Sequence, residues 1–230
     1  MILALETATT ACSAALCAAD GSVVAETVTL EGPAHTRRLL PGVHEVLELA
    51  GAGWDDVDTV AVGLGPGAFT GLRIGVATAR ALAQADGRVN LAGVPSCAAL
   101  ALALADASGG SAVAALIDGK RREVFAAVYE PDAGPAGVRL VEEVVVVPAD
   151  ELAAWLERRG PLLTGGDGAA LYAELLPPSA RRADAIVSPT AAMVGRAVAR
   201  GAPGVVFSFD HVLPLYGRTP DAARWQGRPA

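Results

Sequence analysis

The sequence has little of what builds disulfides, metal centres or membrane spans. It contains 3 cysteines and 3 histidines in 230 residues. Cys12, Cys17 and Cys97 are an odd number without the spacing of a zinc site, so we interpret them as small buried residues in a reducing compartment. No apolar run approaches the roughly 18 residues that a membrane helix needs. The start lacks the basic residues and cleavage site of a signal peptide. We therefore expect a cytoplasmic protein without membrane contact.

The sequence also lacks an excess of positive charge. Its 18 basic and 25 acidic residues give a formal net charge of −7. Such a chain has no electrostatic footprint for gripping nucleic acid unaided. Local basic clusters occur at Arg37-Arg38, Lys120–Arg122, Arg158-Arg159 and Arg181-Arg182. Clusters of this kind are usually solvated surface, so any contact with nucleic acid is expected to be shared with a partner.

Aromatic residues make up only 4% of the chain, so small apolar side chains must form most of the core. Apolar patterning predicts strands at Ile2–Leu5, Cys12–Ala18, Val23–Leu30, Thr59–Leu64 and Leu91–Val94 in the first half. It predicts helices at about Thr36–Ala50, Gly71–Gln84 and Ser96–Leu104, with Pro41 in the first turn or at a kink. Asp20-Gly21 is a strong hairpin signal.

The second half repeats this order of strands and helix. Ser108–Ser111 is the best linker candidate. After it, strands are predicted at Ala112–Ile117, Glu123–Tyr129 and Val138–Val147, with a hairpin turn at Asp118-Gly119 and a helix through Trp155. A last helix is predicted from Pro189 to Arg200, and the tail after Pro220 is expected to be disordered. We predict a lobe over residues 1–107 and a smaller lobe over 108–230, whose C-terminal segment partly returns to the first.

The most informative stretch is the glycine-rich segment Gly63–Gly75, where a strand ends in a turn and feeds a helix. It is neither a Walker loop, since the Gly-Lys-Ser/Thr ending is absent, nor a Rossmann fingerprint. Two interpretations remain open. The helix N-terminus could hold an anion, or Gly71 and Gly75 could let the helix pack closely against a neighbour.

Read as a whole, Gly65-Pro66-Gly67-Ala68-Phe69-Thr70-Gly71-Leu72-Arg73-Ile74-Gly75 resembles the signature of the TsaB (YeaZ) family, with Ala68 where serine is usual. Further segments resemble that family in its order, and Glu6 stands where aspartate is more usual. These segments are Ile2–Thr9, His35–Pro41, Asp118–Phe125, Gly165–Gly168 and Pro214–Arg218.

The resemblance implies an α/β fold of the actin-like ATPase superfamily, with two ribonuclease H-like lobes of mixed sheets and flanking helices. It also implies partners: a paralogous TsaD-type catalytic subunit, a TsaE-type ATPase, and tRNA reached through the complex. That assembly transfers threonylcarbamoyl from threonylcarbamoyl-AMP to N6 of the adenosine beside the tRNA anticodon.

The residues themselves argue against catalysis by this chain. Histidines four apart on a helix share a face and can hold a metal, but His35, His44 and His211 are not four apart. Leu39 stands where a partner for His35 would fall. No Gly-x-Ser-x-Gly pattern occurs. We therefore expect no catalytic residue and no metal site, and a role as a scaffold. The alternative is a stand-alone ATP-binding phosphotransferase of the sugar-kinase type, whereas proteolysis lacks both a nucleophile and a metal.

A scaffold needs a partner surface, and the resemblance implies the two helices near Thr36–Ala50 and Gly71–Gln84. Small residues at Gly71, Gly75, Ala79 and Ala83 would allow another helix to approach closely. The same surface can form a homodimer when the partner is missing. Several of these side chains could instead face the chain's own sheet. The predicted interface residues are Leu39, Leu40, Val43, Leu47, Ile74, Val76, Ala79 and Leu82, beside the signature loop of Gly65, Pro66, Gly67, Phe69, Thr70, Gly71 and Arg73.

A nucleotide role is the second hypothesis for the site. Fold relatives bind ATP between the lobes, which implies Glu6, Thr7, Thr9, Asp118, Gly165 and Gly166 here. An acid and hydroxyls at a strand end can hold Mg²⁺ through water. The same turns also serve plain structural needs. We expect no cofactor of the chain's own, with ATP or ADP at the junction with a partner subunit as the open alternative.

Overall fold

Two five-stranded mixed sheets form the frame of the molecule in a computed structural model that describes residues 1–30 and 35–217. The first sheet has the order β3-β2-β1-β4-β5. β2 is antiparallel to both of its neighbours, and β1, β4 and β5 are parallel. Its strands are β1 (Ile2–Glu6), β2 (Cys12–Cys17), β3 (Val23–Thr29), β4 (Thr59–Gly65) and β5 (Asn90–Pro95).

Three long helices belong to this half of the chain: α1 (His35–Ala50), α2 (Phe69–Asp86) and α3 (Ser96–Ser108). The predicted helices are confirmed, and each begins or ends a few residues from its predicted limit. Pro41 lies in the second turn of α1 and not in its first, because the helix already begins at His35.

The second sheet repeats the order of the first. Read from its antiparallel edge it runs β8-β7-β6-β9-β10, which corresponds strand for strand to β3-β2-β1-β4-β5. This confirms the duplicated architecture that the sequence predicted. The strands are β6 (Val113–Lys120), β7 (Glu123–Pro131), β8 (Val138–Pro148), β9 (Leu162–Gly165) and β10 (Ala180–Arg182), and the helices are α4 (Leu152–Glu157), α5 (Asp167–Leu171) and α6 (Ala191–Arg200).

The elements stack in five layers around three apolar cores. The outer face of the first sheet packs against α1 and α2. The outer face of the second sheet packs against α4 and α5. Between the sheets lie α3 and α6, and the largest core joins them to both inner faces. Alanines such as Ala4, Ala61 and Ala115 are fully buried there, which lets helices lie close to the strands.

The two central helices are exchanged between the halves. α6 comes from the second half of the chain but packs against β1 and β2, whereas α3 comes from the first half and packs against β6. After α6 the chain continues along the first lobe, where Val206 bridges to Gly93 of β5. The amide of Leu215 donates to the carbonyl of Leu64 over 2.7 Å. Residues 205–217 are called the C-terminal strap below.

The prediction from the sequence placed one turn wrongly and did not include the short elements β9, α5 and β10. The second hairpin turns at Arg121-Arg122, three residues beyond the predicted Asp118-Gly119. Lys120, Arg121 and Arg122 all have positive φ there, with values of 61°, 52° and 60°. The missed elements β9, α5 and β10 have only 4, 5 and 3 residues, too few to show a period.

The predicted tail after Pro220 and the predicted motif residue Arg218 lie outside the described residues. Across residues 1–30 and 35–217, no helix combines the length and the apolar character that crossing a membrane requires.

Candidate functional site

The turn after β1 is organised around the carboxylate of Glu6, which is completely buried. One carboxylate oxygen, Oε1, accepts hydrogen bonds from the amides of Thr7 and Ala8, both over 2.7 Å. The other, Oε2, accepts from the hydroxyl of Ser96 over 2.7 Å. Ser96 begins α3, and its oxygen also accepts from the amide of Gly65 over 3.2 Å. Glu6 thereby ties the β1–β2 turn to the start of α3 and to the end of β4.

Burial raises the pKa of Glu6, and its hydrogen bonds from Ser96 and the two amides only partly oppose this rise. Asp167 in the second lobe raises it further by charge repulsion. Every hydrogen bond to this carboxylate comes from the chain itself. A cation or phosphate could reach Glu6 only if these bonds were broken and the turn moved.

The two threonines of the turn are likewise bonded within the chain. The hydroxyl of Thr7 donates to the carbonyl of Gly71 over 2.8 Å. The hydroxyl of Thr9 lies 2.8 Å from that of Ser188. Thr7 is fully buried and Thr9 is 4% exposed. Glu6, Thr7 and Thr9 therefore all take part in hydrogen bonds within the chain.

Four glycines at intervals of four residues explain the signature segment. A Cβ atom on Gly63 would overlap the carboxylate of Glu6, and one on Gly71 would overlap the carbonyl oxygen of Thr7. Gly67 lies in the same way against Ala8, and Gly75 against the hydroxyl of Thr7. The structure thus shows the close packing of the helix, which was one of the two interpretations left open by the sequence. The neighbour is the turn after β1.

Of the remaining residues of the signature loop, Phe69, Thr70 and Arg73 are exposed. Phe69 is 53% exposed, and the guanidinium of Arg73 lies 3.9 Å from the centre of its ring. Arg73 Nε also donates to the hydroxyl of Tyr216 in the strap over 3.0 Å. The Phe69 and Tyr216 rings lie 5.1 Å apart. Thr70 is exposed next to this cluster, whereas Pro66 is buried.

The predicted interface residues divide into two groups. Leu39, Val43, Val76 and Ala79 are at most 6% exposed and belong to the core beneath the first sheet. Their prediction as partner contacts is corrected, because an amphipathic helix turns its most apolar face toward its own sheet. The other four reach the surface: Leu40 is 55% exposed, and Leu47, Ile74 and Leu82 are partly buried.

The small-residue stripe is corrected in the same way. Gly71, Gly75, Ala79 and Ala83 are all buried inside the chain. A second set of small residues, Ala77, Ala81 and Ala85, is exposed on α2 instead. This set was not predicted, because the stripe that contains the glycines was expected to form the exposed face of α2.

In the second lobe, the carboxylate of Asp167 lies at the start of α5 and accepts from the amide of Asp118 over 2.9 Å. Burial raises the pKa of Asp167 to about 6, and the nearby Asp118 adds to the rise. The Lys120 ammonium pairs with Asp118 over 2.6 Å, which raises the pKa of Lys120. Gly165 and Gly166 are buried beside them. The predicted second-lobe residues therefore do meet, and Asp167 joins them.

The histidines occupy unrelated positions. His35 is 7% exposed, and its Nε2 lies 3.1 Å from the carbonyl of Thr9 and 3.3 Å from that of Ala11. Since a carbonyl only accepts, Nε2 carries a proton and donates. Leu39, one turn further along α1, is buried in the core. Within residues 1–30 and 35–217, no three histidine, cysteine or acidic side chains are grouped as metal ligands would be.

Comparison with known proteins agrees with this arrangement of lobes and signature. The family model described as TsaD, tRNA N6-adenosine threonylcarbamoyltransferase, matches residues 22–197. A protein of Escherichia coli K12 named tRNA threonylcarbamoyladenosine biosynthesis protein TsaB is 32% identical, over 94% of this chain and 94% of its own. The chain belongs to the TsaB (YeaZ) family. The Bacillus subtilis member is 30% identical over 76% of this chain and 74% of its own.

Solved structures support the family and its fold. YeaZ from Pseudomonas aeruginosa superposes with a TM-score of 0.75 at 33% identity, covering 94% of this chain and 98% of that one. The ethanolamine utilization protein EutJ from Carboxydothermus hydrogenoformans has a TM-score of 0.54 at 12% identity, covering 84% of this chain and 88% of that one. The second likeness concerns the fold alone, and it agrees with the predicted α/β fold of two lobes, each with a mixed sheet and flanking helices.

Proposed function

We propose that this chain acts in the biosynthesis of tRNA threonylcarbamoyladenosine as a non-catalytic scaffold subunit. It pairs with a TsaD-type catalytic subunit, which transfers threonylcarbamoyl from threonylcarbamoyl-AMP to N6 of the adenosine beside the anticodon. The observation that carries the proposal is the similarity to the E. coli protein named TsaB over 94% of both chains.

The chemistry of the buried turn supports a non-catalytic role. His35 donates to backbone carbonyls, and Leu39 takes the place of a second ligand one turn away. The Glu6 carboxylate, which faces ligands in nucleotide-binding relatives, is bonded to Ser96 and to two amides. We place any ATP or ADP at the junction with the partner, and we assign contacts with tRNA and a TsaE-type ATPase to the complex.

The exposed faces of α1 and α2 supply the docking surface in this proposal. Leu40 and Phe69 each expose more than half of their area, and Ala77, Ala81 and Ala85 leave room for a partner helix. Exposed apolar side chains gathered on adjacent helices are typical of a protein interface. A second copy of the chain can take the same place when the partner is missing.

The test is size-exclusion chromatography with light scattering on a mixture of this chain and the TsaD-type subunit from the same cell. The expected result is a one-to-one complex, and threonylcarbamoyl transfer to tRNA that requires both proteins. If no complex forms and the chain alone turns over ATP, the stand-alone phosphotransferase replaces the scaffold.

Ala81→Glu makes the test specific to the surface. The residue is exposed on α2, so a charge there leaves the fold intact and places a carboxylate in the contact. We expect complex formation to weaken at least tenfold, as buried unpaired charges at interfaces do. Ala154→Glu, an exposed alanine of α4 in the other lobe, is the matched control and should bind normally. Equal binding by both variants would move the interface away from α2.

A further inference from the structure

A cleft of about 590 Å³ opens between the two lobes. It is bounded by the ends of β4 and β5, by β7 and β8, and by the C-terminal strap. Its size is within the range of small-molecule sites, roughly 300–1,000 Å³. None of the described residues that line it belongs to the set predicted for nucleotide binding. It is therefore a separate feature from the turn that contains Glu6.

Prolines form much of the cleft wall: Pro66, Pro95, Pro203 and Pro214. A proline has a carbonyl but no N–H, so these four positions offer acceptors and no backbone donors. Leu140, Val144 and the ring of Tyr216 complete an apolar lining. A ligand there meets flat apolar surfaces beside oxygen acceptors.

Tyr129 places a polar group in this apolar wall. The residue lines the cleft and is only 2% exposed. Its hydroxyl has no hydrogen-bond partner anywhere in residues 1–30 and 35–217. Among the described side chains, Ser179 Oγ is the one polar atom that is both inaccessible to solvent and without a hydrogen bond. The Tyr129 hydroxyl, which also has no hydrogen bond, must therefore be accessible. The hydroxyl of Tyr129 therefore opens into the cleft.

A hydroxyl that no described group of the chain bonds, set among apolar walls, is available to orient a ligand in the cleft. Burial raises the pKa of Tyr129, so the phenol keeps its proton at neutral pH. It can both donate to a ligand and accept from one.

The charge of the cleft selects among ligands. Glu143 lines its rim, and no lysine or arginine is found among its described lining residues. The whole chain carries a formal charge of −7. Phosphates and carboxylates would meet carbonyl acceptors and no basic side chain among the described lining residues, whereas a cation would meet the carboxylate of Glu143.

We propose that this cleft binds an organic cation with an apolar body, packed between the proline and tyrosine rings. Its cationic nitrogen pairs with Glu143 and also donates to the hydroxyl oxygen of Tyr129. An alkyl- or arylamine and the lysine or arginine side chain of another protein share this chemistry. The site does not depend on the scaffold role, so either proposal can fail without the other.

The experiment is a titration of the full chain, labelled with ¹³C at leucine and valine methyls, followed by NMR. The first probe is phenethylammonium, and 3-phenylpropanoate is its anionic counterpart. We expect saturable shifts at the Leu140 and Val144 methyls with the cation, and at least tenfold weaker binding of the anion. Equal affinities, or shifts confined to methyls outside the cleft, would overturn the proposal.

A third probe separates the two sources of the cation. If Nα-acetyl-arginine N-methylamide binds at least as tightly as phenethylammonium, the site takes a side chain from another protein. If it binds much more weakly, the site takes a free amine. Both results support the site and assign its ligand.

Two variants test the assigned contacts. Glu143→Gln should weaken the cation several-fold and leave the neutral probe 2-phenylethanol unchanged, because only the charge is removed. Tyr129→Phe should weaken both probes several-fold while retaining the ring. Glu157→Gln and Tyr172→Phe, which lie outside the cleft, are the matched controls. Should both cleft variants bind the cation like the unaltered chain, with an unchanged methyl spectrum, the proposal is wrong.

Discussion

In the first lobe the strands β3 and β4 are connected through a helix of 16 residues, and β4 and β5 through one of 18. At the corresponding places of the second lobe the helices have 6 and 5 residues. Strand order is the same in both lobes, but β9 and β10 have 4 and 3 residues where β4 and β5 have 7 and 6. Two short helices suffice to cover the smaller sheet face. The longer α1 and α2 also carry exposed residues such as Leu40 and Ala81.

The acids at the strand ends differ in the same direction. Glu6 is fully buried and receives three hydrogen bonds from its own chain. Asp118 and Asp167 retain partial exposure, and Asp118 pairs with an exposed lysine. In the first lobe the turn after β1 therefore supports α2 from within the chain. The acids of the second lobe are less enclosed.

The largest expected effect comes from Gly71→Ala, which breaks the close contact between α2 and the turn after β1. Helix propensity alone predicts a gain of about 1 kcal/mol. The new methyl group would overlap the carbonyl oxygen of Thr7, so we expect a loss of about 3 kcal/mol or more in unfolding free energy, or failure to fold. Urea denaturation measures it. Gly53→Ala is the control, since its nearest neighbour atom would lie 3.8 Å away, and a stable Gly71→Ala would refute the close packing.

The next-largest effect comes from two variants of Glu6, which distinguish the contribution of its charge from that of its hydrogen bonds. Glu6→Ala leaves the amides of Thr7 and Ala8 unpaired and opens a cavity, so the free energy of unfolding should fall by about 2–4 kcal/mol. Glu6→Gln retains an oxygen for both amides and removes a buried charge, so stability should stay level or rise. Chemical denaturation at neutral pH compares the two. A glutamine variant as unstable as the alanine variant would show that the ionised carboxylate itself is required.

Asp167→Asn tests how a partly buried carboxylate in the second lobe affects stability. The pKa of this carboxyl rises from 3.8 to about 6 on folding, so the unfolded chain loses the proton first as pH increases. The ionised group therefore lowers stability progressively between about pH 4 and pH 6 and by a constant amount above that. The variant should be more stable than the unaltered chain by about 1–3 kcal/mol at pH 7 and equal to it below pH 4. Denaturation curves at several pH values measure this, and a difference independent of pH would contradict it.

The smallest effect concerns the strained hairpin between β6 and β7. Arg122 has a φ of 60°, a conformation that costs a residue with a side chain about 1 kcal/mol relative to glycine. Arg122→Gly should raise the unfolding free energy by about 0.5–1 kcal/mol, measured as a small increase in Tm. Arg158→Gly, at the exposed C-cap of α4 where φ is negative, should lower it. A loss at Arg122 would mean that its side chain contributes more than its backbone costs.

Most of the fold could be predicted from the sequence because the long elements carry clear periods. The strands of the first sheet and the helices α1, α2 and α3 follow from apolar spacing and from turn signals such as Asp20-Gly21. The duplication followed from repeated element order. The short elements could not be predicted in this way. β10 has only 3 residues, and its place beside β9 depends on the rest of the sheet.

The candidate site was predicted in its parts and not in its connections. Glu6, Thr7 and Gly71 were all identified, but their mutual contacts join residues up to 64 positions apart. Nothing near Ser96 indicates that its hydroxyl meets a carboxylate 90 residues earlier. The periodicity of α2 located two faces but did not decide which was inward. That choice depends on the turn after β1, which lies so close to α2 that only glycine fits on the facing side of the helix.

The exchange of α3 and α6 bears on how the chain is made. While the first half emerges from the ribosome, the inner face of its sheet lacks the helix that will cover it. That helix ends at Arg200, after the strands of both sheets. Until α6 has been synthesised, the inner face of the first sheet must therefore remain exposed to solvent in part or be covered by a transient contact. Ribosome-bound nascent chains of this protein should gain stable structure late and almost all at once.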